Sequence, residues 1–410
     1  MSIAEKVIYV DNNATSKVDK EVLETMLPYL TDNYGNPSSM HYFGGKVGKA
    51  LDTAREQVAD ALGAQPTEII FTSCGSESNN MAIRSILETI PERRQVITTK
   101  VEHPCVINVV KWLEREHGYK AHYLSVNSKG QLDLSELSNA ITPKTAFVSI
   151  MWANNETGVV FPIEKIAQII KRKNPNTIIH VDGVQAVGKI SIDMSNNLVD
   201  MLSISGHKFH APKGVGALYV KRGTPIVPFL IGGHQERGRR AGTENVASIA
   251  GLGKAAELAK KNLKDEATRV KALRDKLEQS ILEKVPNAIL NGDPHNRVPN
   301  TTNISFEYIE GELILLHLSD AGICASSGSA CTSGSLEPSH VLRAMGIPFT
   351  AIHGSTRFSL SRFNTEEEVD YIIEKVPTII DKLTQISPYR KEIEKKRIHC
   401  ANLTDIPQTV

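Results

Sequence analysis

The chain has 410 residues, enough to bury a large core, and a length that favours two or three domains over one. Its 47 basic and 46 acidic residues leave a formal charge of +1, so no global field draws it to nucleic acid or to an acidic membrane, and a small-molecule substrate is expected. Five cysteines (Cys74, Cys105, Cys324, Cys331, Cys400) are odd in number and lack CxxC spacing, no secretory leader pattern is present, and no run approaches the roughly eighteen apolar residues of a membrane span; a cytoplasmic protein is expected.

Between residues 65 and 220, β-type runs alternate with helical patterns: strands at 68–72, 95–99, 146–150, 177–181 and 214–220, and helices at 81–90 and 106–116. Such alternation predicts an α/β domain around a mainly parallel sheet. An alanine-rich helix over 247–263 closes a large domain expected to span 15–263, and a charged amphipathic stretch over 264–285 leads out of it. Short elements at 303–308, 313–318, 356–361 and 366–386 then predict a smaller α+β domain, made of residues 264–387 together with the N-terminal arm, residues 1–14. Residues 388–410 pass from a Lys/Glu-rich helix into a polar tail.

The chemistry concentrates in a few places. Lys208, in Ser205-Gly206-His207-Lys208, follows a strand and is framed by Gly, His and Pro, a setting suited to capture of an aldehyde cofactor; a solvated loop lysine is the plain alternative. Asp182 closes an apolar strand, where it could pair with a pyridinium nitrogen, cap the next helix, or do both, and Gln185 follows within one helical turn. These two handles make the chain readable as an enzyme of pyridoxal 5'-phosphate. A phosphate of about two negative charges would suit the turn Ser73-Cys74-Gly75-Ser76 at a helix start, with Gly75 and Ser76 as contacts and Ser205 and His207 completing the cup. A Ser/Gly turn of this kind is otherwise a routine cap. His103, before Pro104 at a strand's carboxyl end, could stack on a ring and move protons, although most histidines are surface or core groups. Cys331 sits among small residues in Ser327-Gly328-Ser329-Ala330-Cys331-Thr332-Ser333, the surroundings of a reactive thiol, whereas Cys324 reads as a small buried hydrophobe. Arg357 alternates with apolar residues in Thr356-Arg357-Phe358, which suits either a fork for a substrate carboxylate or an edge-strand ion pair. No metal site is expected.

Together these segments resemble the class I cysteine desulfurases, the NifS/IscS-type enzymes of the fold-type I pyridoxal-phosphate transferases. The resemblance runs from about residue 8 to 388, through Tyr9-Val10-Asp11-Asn12-Asn13-Ala14-Thr15, Gly35-Asn36-Pro37-Ser38-Ser39, Glu102-His103, Asn154-Asn155-Glu156-Thr157-Gly158, His180-Val181-Asp182, Gly238-Arg239-Arg240-Ala241-Gly242-Thr243 and the segments around Lys208 and Cys331. It implies conversion of L-cysteine to L-alanine, with the sulfur left as a persulfide on Cys331 and passed to an acceptor such as an iron–sulfur scaffold. It also implies a homodimer with shared active sites, Thr243 reaching the partner's cofactor phosphate and Asn155 contacting cofactor and substrate. Lys208 would hold the cofactor and move the substrate's α-proton, with His103 assisting. Residues 329–338 resemble the long loop of class I, and 335–340 lean toward the nitrogen-fixation subtype. Phe209-His210-Ala211 stands where many relatives carry a tyrosine and a glycine. A selenocysteine lyase or other β-elimination enzyme would share the lysine and aspartate but need no loop cysteine; an aminotransferase would return a keto acid; a non-catalytic sulfur-carrier platform would need neither Lys208, His103 nor Asp182.

Overall fold

Runs of β-branched and apolar residues form the strands of the computed structural model, which describes residues 7–327 and 338–392. In chain order the strands are β1 (Ile8–Tyr9), β2 (Ile69–Thr72), β3 (Gln95–Thr99), β4 (Lys120–Leu124), β5 (Thr145–Met151), β6 (Ile178–Asp182), β7 (Met201–Ser205), β8 (Gly216–Val220), β9 (Ala288–Leu290), β10 (Thr301–Phe306), β11 (Ile323–Cys324) and β12 (Ser355–Ser359). The helices that matter below are α1 (Lys20–Leu30), α2 (Tyr42–Leu62), α3 (Gly75–Thr89), α4 (Pro104–His117), α5 (Leu134–Ala140), α6 (Ile163–Lys173), α7 (Val246–Asp265), α8 (Lys271–Lys284), α9 (Gly311–Asp320), α10 (His340–Ala344), α11 (Phe349–Ile352) and α12 (Glu366–Ile386).

Seven strands form the main sheet in the order β2-β8-β7-β6-β5-β3-β4, and only β8 runs antiparallel to its neighbours. The mainly parallel sheet expected from the alternation is therefore what forms. Strands β5 to β8 are buried at every residue because helices cover both faces. One face packs Val47, Leu51 and Val58 of α2 with Ile249, Leu252 and Ala255 of α7 and Ile166 and Ile170 of α6. On the other face, Met81, Ile83 and Ile86 of α3 meet Val106, Val110 and Leu113 of α4. Helices α2 and α7 approach so closely that a Cβ on Gly253 would sit 2.5 Å from the Ala54 Cα, which restricts that position to glycine.

A second cluster surrounds the antiparallel sheet β12-β10-β9, where Ile304, Phe306 and Phe358 pack with Leu277 and Ile281 of α8 and Ile372, Val376 and Ile380 of α12. The N-terminal arm reaches this unit: β1 pairs in parallel with β11, and Asp11 bridges to Ser359. Sequence periodicity predicts two separate helices over 247–263 and 264–285; the structure runs α7 into α8 through a single π-helical turn, Glu266–Val270. Such turns inside helices commonly accompany functional sites, and Glu266 on this one is buried. Among the described residues no helix is long and apolar enough to cross a membrane.

Candidate active site

Parallel strands place ligands at their carboxyl ends, and here β6 ends in Asp182 while β7 ends in Ser205 and turns directly into Gly206–Lys208. Between these ends, α3, α4 and β12 lies a cavity of about 330 Å³, within the range of small-molecule pockets. Its lining includes Gly75, Ser76, His103, Asn155, Asp182, Gln185, Ser205, His207, Lys208 and Arg357, so nearly every residue singled out in the sequence meets in one place.

The start of α3 forms one wall. Its N-cap, Cys74, supplies no side-chain hydrogen bond, which leaves the first-turn N–H groups of Gly75 and Ser76 without the usual side-chain acceptor. That is a site for an anion, favoured further by the helix dipole. A Cβ on Gly75 would lie 2.7 Å from Val184 Cγ2 and 3.3 Å from Ser205 Cβ, so the helix end can seat this close to β6 and β7 only with glycine. Glu77, one turn in, accepts from the Ser73 N–H and from Arg240. Burial raises the Glu77 pKa, but the bonds from Arg240 and Ser73 outweigh it and hold the carboxyl below its usual value.

Asp182 is oriented by two donors, Asn79 Nδ2 at 2.7 Å to Oδ2 and the Val184 N–H at 3.0 Å to Oδ1. It thus caps the following turn while keeping its place in the cavity, the combination its sequence position allows. His103 is the N-cap of α4, its Nδ1 accepting from the Cys105 N–H. Burial lowers its pKa; Asp182 opposes that shift, and Lys208 and His340 reinforce it, which favours the neutral imidazole. Cys105 also lines the cavity, but burial, with Asp182 and against a bond from Asn79, pushes its thiol up to about 12. It is a poor nucleophile at neutral pH. His207, bonded through Nδ1 to Thr15 Oγ1, is pushed down to about 4 by burial and by Lys208, Lys213 and Lys189.

Lys208 Nζ donates to the backbone oxygens of Asn13 and Ala14, both at 2.7 Å, which ties the N-terminal arm across the cavity. Arg357, buried on β12, donates to Asp11 Oδ1 at 2.6 Å and to the Asn155 carbonyl at 2.9 Å, while its Nε has no partner among the described residues. The ion-pair reading of Arg357 is what forms, with Asp11 as the partner, and the guanidinium also lines the cavity. Asn155 meets the cavity lining and offers its carbonyl to Asn13 and Arg357.

Two expected residues lie elsewhere. Thr243 is outside this cavity and lines a separate one of about 240 Å³ with Ser73, Glu236 and Arg240. Cys331 lies outside the described residues, but the chain on either side is anchored at the site. Ser326 exchanges backbone bonds with Arg357, while Ser339 Oγ donates to the buried Glu156 at 2.6 Å and His340 Nε2 bonds the Glu102 carbonyl at 2.9 Å.

Residues 8–372 match the Aminotransferase class-V family. A cysteine desulfurase of a Nostoc species is 62% identical over 94% of this chain and 96% of its own, and the cysteine desulfurase NifS of Azotobacter vinelandii is 58% identical over 93% and 94%. The chain belongs to the cysteine desulfurases of the aminotransferase class-V family. A solved NifS-like protein shares the fold with a TM-score of 0.87 at 41% identity, covering 92% of this chain and 100% of its own. Within this class-V site, reading the sequence missed the polar residues that hold the others in place: Asn13, Asn79 and Lys189. Asn13 lay within a quoted motif without a role. Lys189 lies four residues after Gln185, a spacing that puts the two side chains together on a helical turn and was the available signal.

Proposed function

We propose that this chain is a pyridoxal-phosphate-dependent cysteine desulfurase that converts L-cysteine to L-alanine and leaves the sulfur as a persulfide on Cys331, for an acceptor protein in iron–sulfur cluster assembly, nitrogenase maturation included. The observation that carries the reading is the convergence of Lys208, Asp182 and the uncapped start of α3 in one cavity. An amine, a carboxylate and an anion site are the three features such a cofactor needs, and the residues fit it. Gly75 and Ser76, with Ser205 and His207 beside them, would hold the phosphate; Asp182 would face the ring nitrogen, Gln185 the ring oxygen, and His103 the ring itself. Asn155 would contact both cofactor and substrate. When bound, the cofactor supplies an aldehyde for the substrate amine and a ring that accepts the electron pair released at the α-carbon.

The protein's own groups do the rest. Arg357 fixes the substrate carboxylate through its fork. Lys208 would carry the α-proton, and His103, whose lowered pKa favours the neutral imidazole, would take and return a second proton. The Cys331 thiolate attacks the substrate sulfur: an S–S bond forms, the C–S bond breaks, and its electron pair leaves with the carbon, which is protonated to give alanine. Cys331 lies four residues beyond Ser327, a tether that extends at most about 14 Å from the Arg357 side of the cavity.

We also infer a homodimer in a reducing cytoplasm, built from a large domain over 15–263 and a small one over 1–14 and 264–387. The exposed apolar residues Leu23, Leu27 and Leu30 of α1, with Tyr34, Met40 and Tyr42 beyond it, support a partner surface. The position of Thr243 away from its own cavity supports its service to the partner's phosphate. The test is chemical: protein loaded with pyridoxal phosphate should make alanine and sulfide from L-cysteine with a reductant. Cys331→Ala should keep the visible absorption and lose persulfide on the loop peptide by mass spectrometry. Unchanged sulfide yield from that variant would end the assignment.

A further inference from the structure

Behind Gln185 lies a buried cation that the chemistry above leaves without a task. Lys189 is 6% exposed, and its Nζ donates to Gln185 Oε1 at 2.6 Å and to Asn13 Oδ1 at 2.9 Å. No carboxylate pairs with it directly among the described residues. An ammonium only donates, so the atoms it meets must be the oxygens of the two amides. On the other side of Gln185, Nε2 donates to the Asn13 carbonyl at 3.0 Å, an oxygen that only accepts. The Gln185 amide is therefore held in one of its two orientations from both ends, leaving its second N–H for the cavity that Gln185 lines.

The same cation sets Asn13. With Oδ1 taken by Lys189 and Asn300, Nδ2 of Asn13 must face the other way, where it donates to the Asn155 carbonyl at 3.2 Å and to Thr301 Oγ1 at 2.8 Å. The backbone oxygen of Asn13 in turn receives Lys208. Lys208, Asn13, Gln185 and Lys189 form one chain of bonds, in which a single ammonium fixes two amides that touch the site.

The geometry points to Lys189 as a positioning residue, whose ammonium holds the Gln185 amide with its N–H toward the oxygen of the bound cofactor ring and adds positive charge behind it. This rests on the reading of the cavity as a pyridoxal-phosphate pocket. The charged groups that face Lys189 are Lys208 after β7, Glu266 on the π-turn and Arg357 on β12; His210 and Arg362 line, with Lys189 and Glu266, a small cavity of about 20 Å³. Burial first, then Lys208 and Arg357, bring Lys189 down to about 7, with Glu266 opposing. An anionic ring oxygen beyond Gln185 adds to the pull of Glu266 and favours the charged ammonium.

Removing the cation has a defined consequence. Without Lys189 the Gln185 amide is free to turn its oxygen toward an anionic ring oxygen, and both that change and the lost positive charge make the lysine-bound chromophore hold its proton to higher pH. The test is a visible absorption titration against pH of the loaded protein and of Lys189→Met, Gln185→Met and the double variant. Lys189→Met should move the transition upward by about half a pH unit or more, about threefold in proton affinity, and the double variant should shift by less than the sum of the two single shifts, because the part of the Lys189 effect carried by the Gln185 amide is already gone in Gln185→Met. Lys189→Gln, which keeps a donor without the charge, should shift less than Lys189→Met, and it serves as the decisive variant if the methionine protein does not fold. Curves that superimpose on the parent, or shifts that add in full, would overturn the role of Lys189 while leaving the cofactor reading intact. A parent protein that shows no lysine-bound chromophore would overturn both.

Discussion

The cavity has two sides built by different means. On the side of the seven-stranded sheet, Asp182, Ser205 and Lys208 stand at or just beyond the ends of fully buried strands, and Gly75 is pressed against them by the packing of α3. On the side of the three-stranded sheet, a single strand, β12, contributes Arg357, whose backbone also anchors the chain leading toward Cys331. Under the proposed function, the first side would hold the cofactor and the second would meet the substrate. Damage to the sheet side should therefore remove the cofactor's colour and turnover together, whereas damage on the β12 side should spare the colour.

Lys208→Ala should have the largest effect, abolishing the lysine-bound visible band and lowering turnover on the order of 10³-fold, read by absorption and by alanine formation. A comparable loss should appear in stability at a third place. Arg55 and Glu236 form a buried bidentate pair, both bonds 2.7 Å, and it pins a turn in which Glu236 and Arg237 adopt the left-handed conformation at φ 50° and 60°. Arg55→Ala leaves that carboxylate without its cation and should cost about 3–5 kcal/mol in urea unfolding. Arg357→Lys keeps the charge but not the fork; it should preserve the colour and raise KM for cysteine about tenfold, which separates the two sides of the cavity cleanly.

The smallest effect is one of pH. Glu102 accepts from Thr99 Oγ1 and the Met151 N–H, its Oε2 has no partner among the described residues, and burial pushes its carboxyl from 4.5 up to about 8. A folded-state pKa above the unfolded one means that its contribution to stability is complete below about 4.5 and is lost as pH rises through about 8. Glu102→Gln should flatten that slope in denaturation measured at about pH 5 and about pH 9.

The runs that place Asp182 and Lys208 at strand ends were legible because a short apolar, β-branched run and its change into a turn are local properties. Helices α1 and α2 were harder to read. Gly44, Gly45 and Gly48 dilute the helical pattern at the start of α2, and the apolar residues of α1 are divided between the core, where Val22 and Met26 pack, and the exposed face of Leu23, Leu27 and Leu30. The joining of α7 to α8 escaped because a π-turn keeps helical composition and differs only in its bonding. Asn79 and Asn13 escaped for another reason: their roles come from partners far along the chain, as in the Asn79–Asp182 and Asn13–Thr301 bonds, which no local spacing reveals.

Two amines lie near the pocket, half-buried Lys208 in its lining and buried Lys189 behind Gln185, and only one can be the attachment point. Borohydride reduction of the protein loaded with pyridoxal phosphate, followed by peptide mass spectrometry, distinguishes them directly. A pyridoxyl group on Lys208 is the expected result; one on Lys189 or any other amine, or no adduct at all, would contradict it.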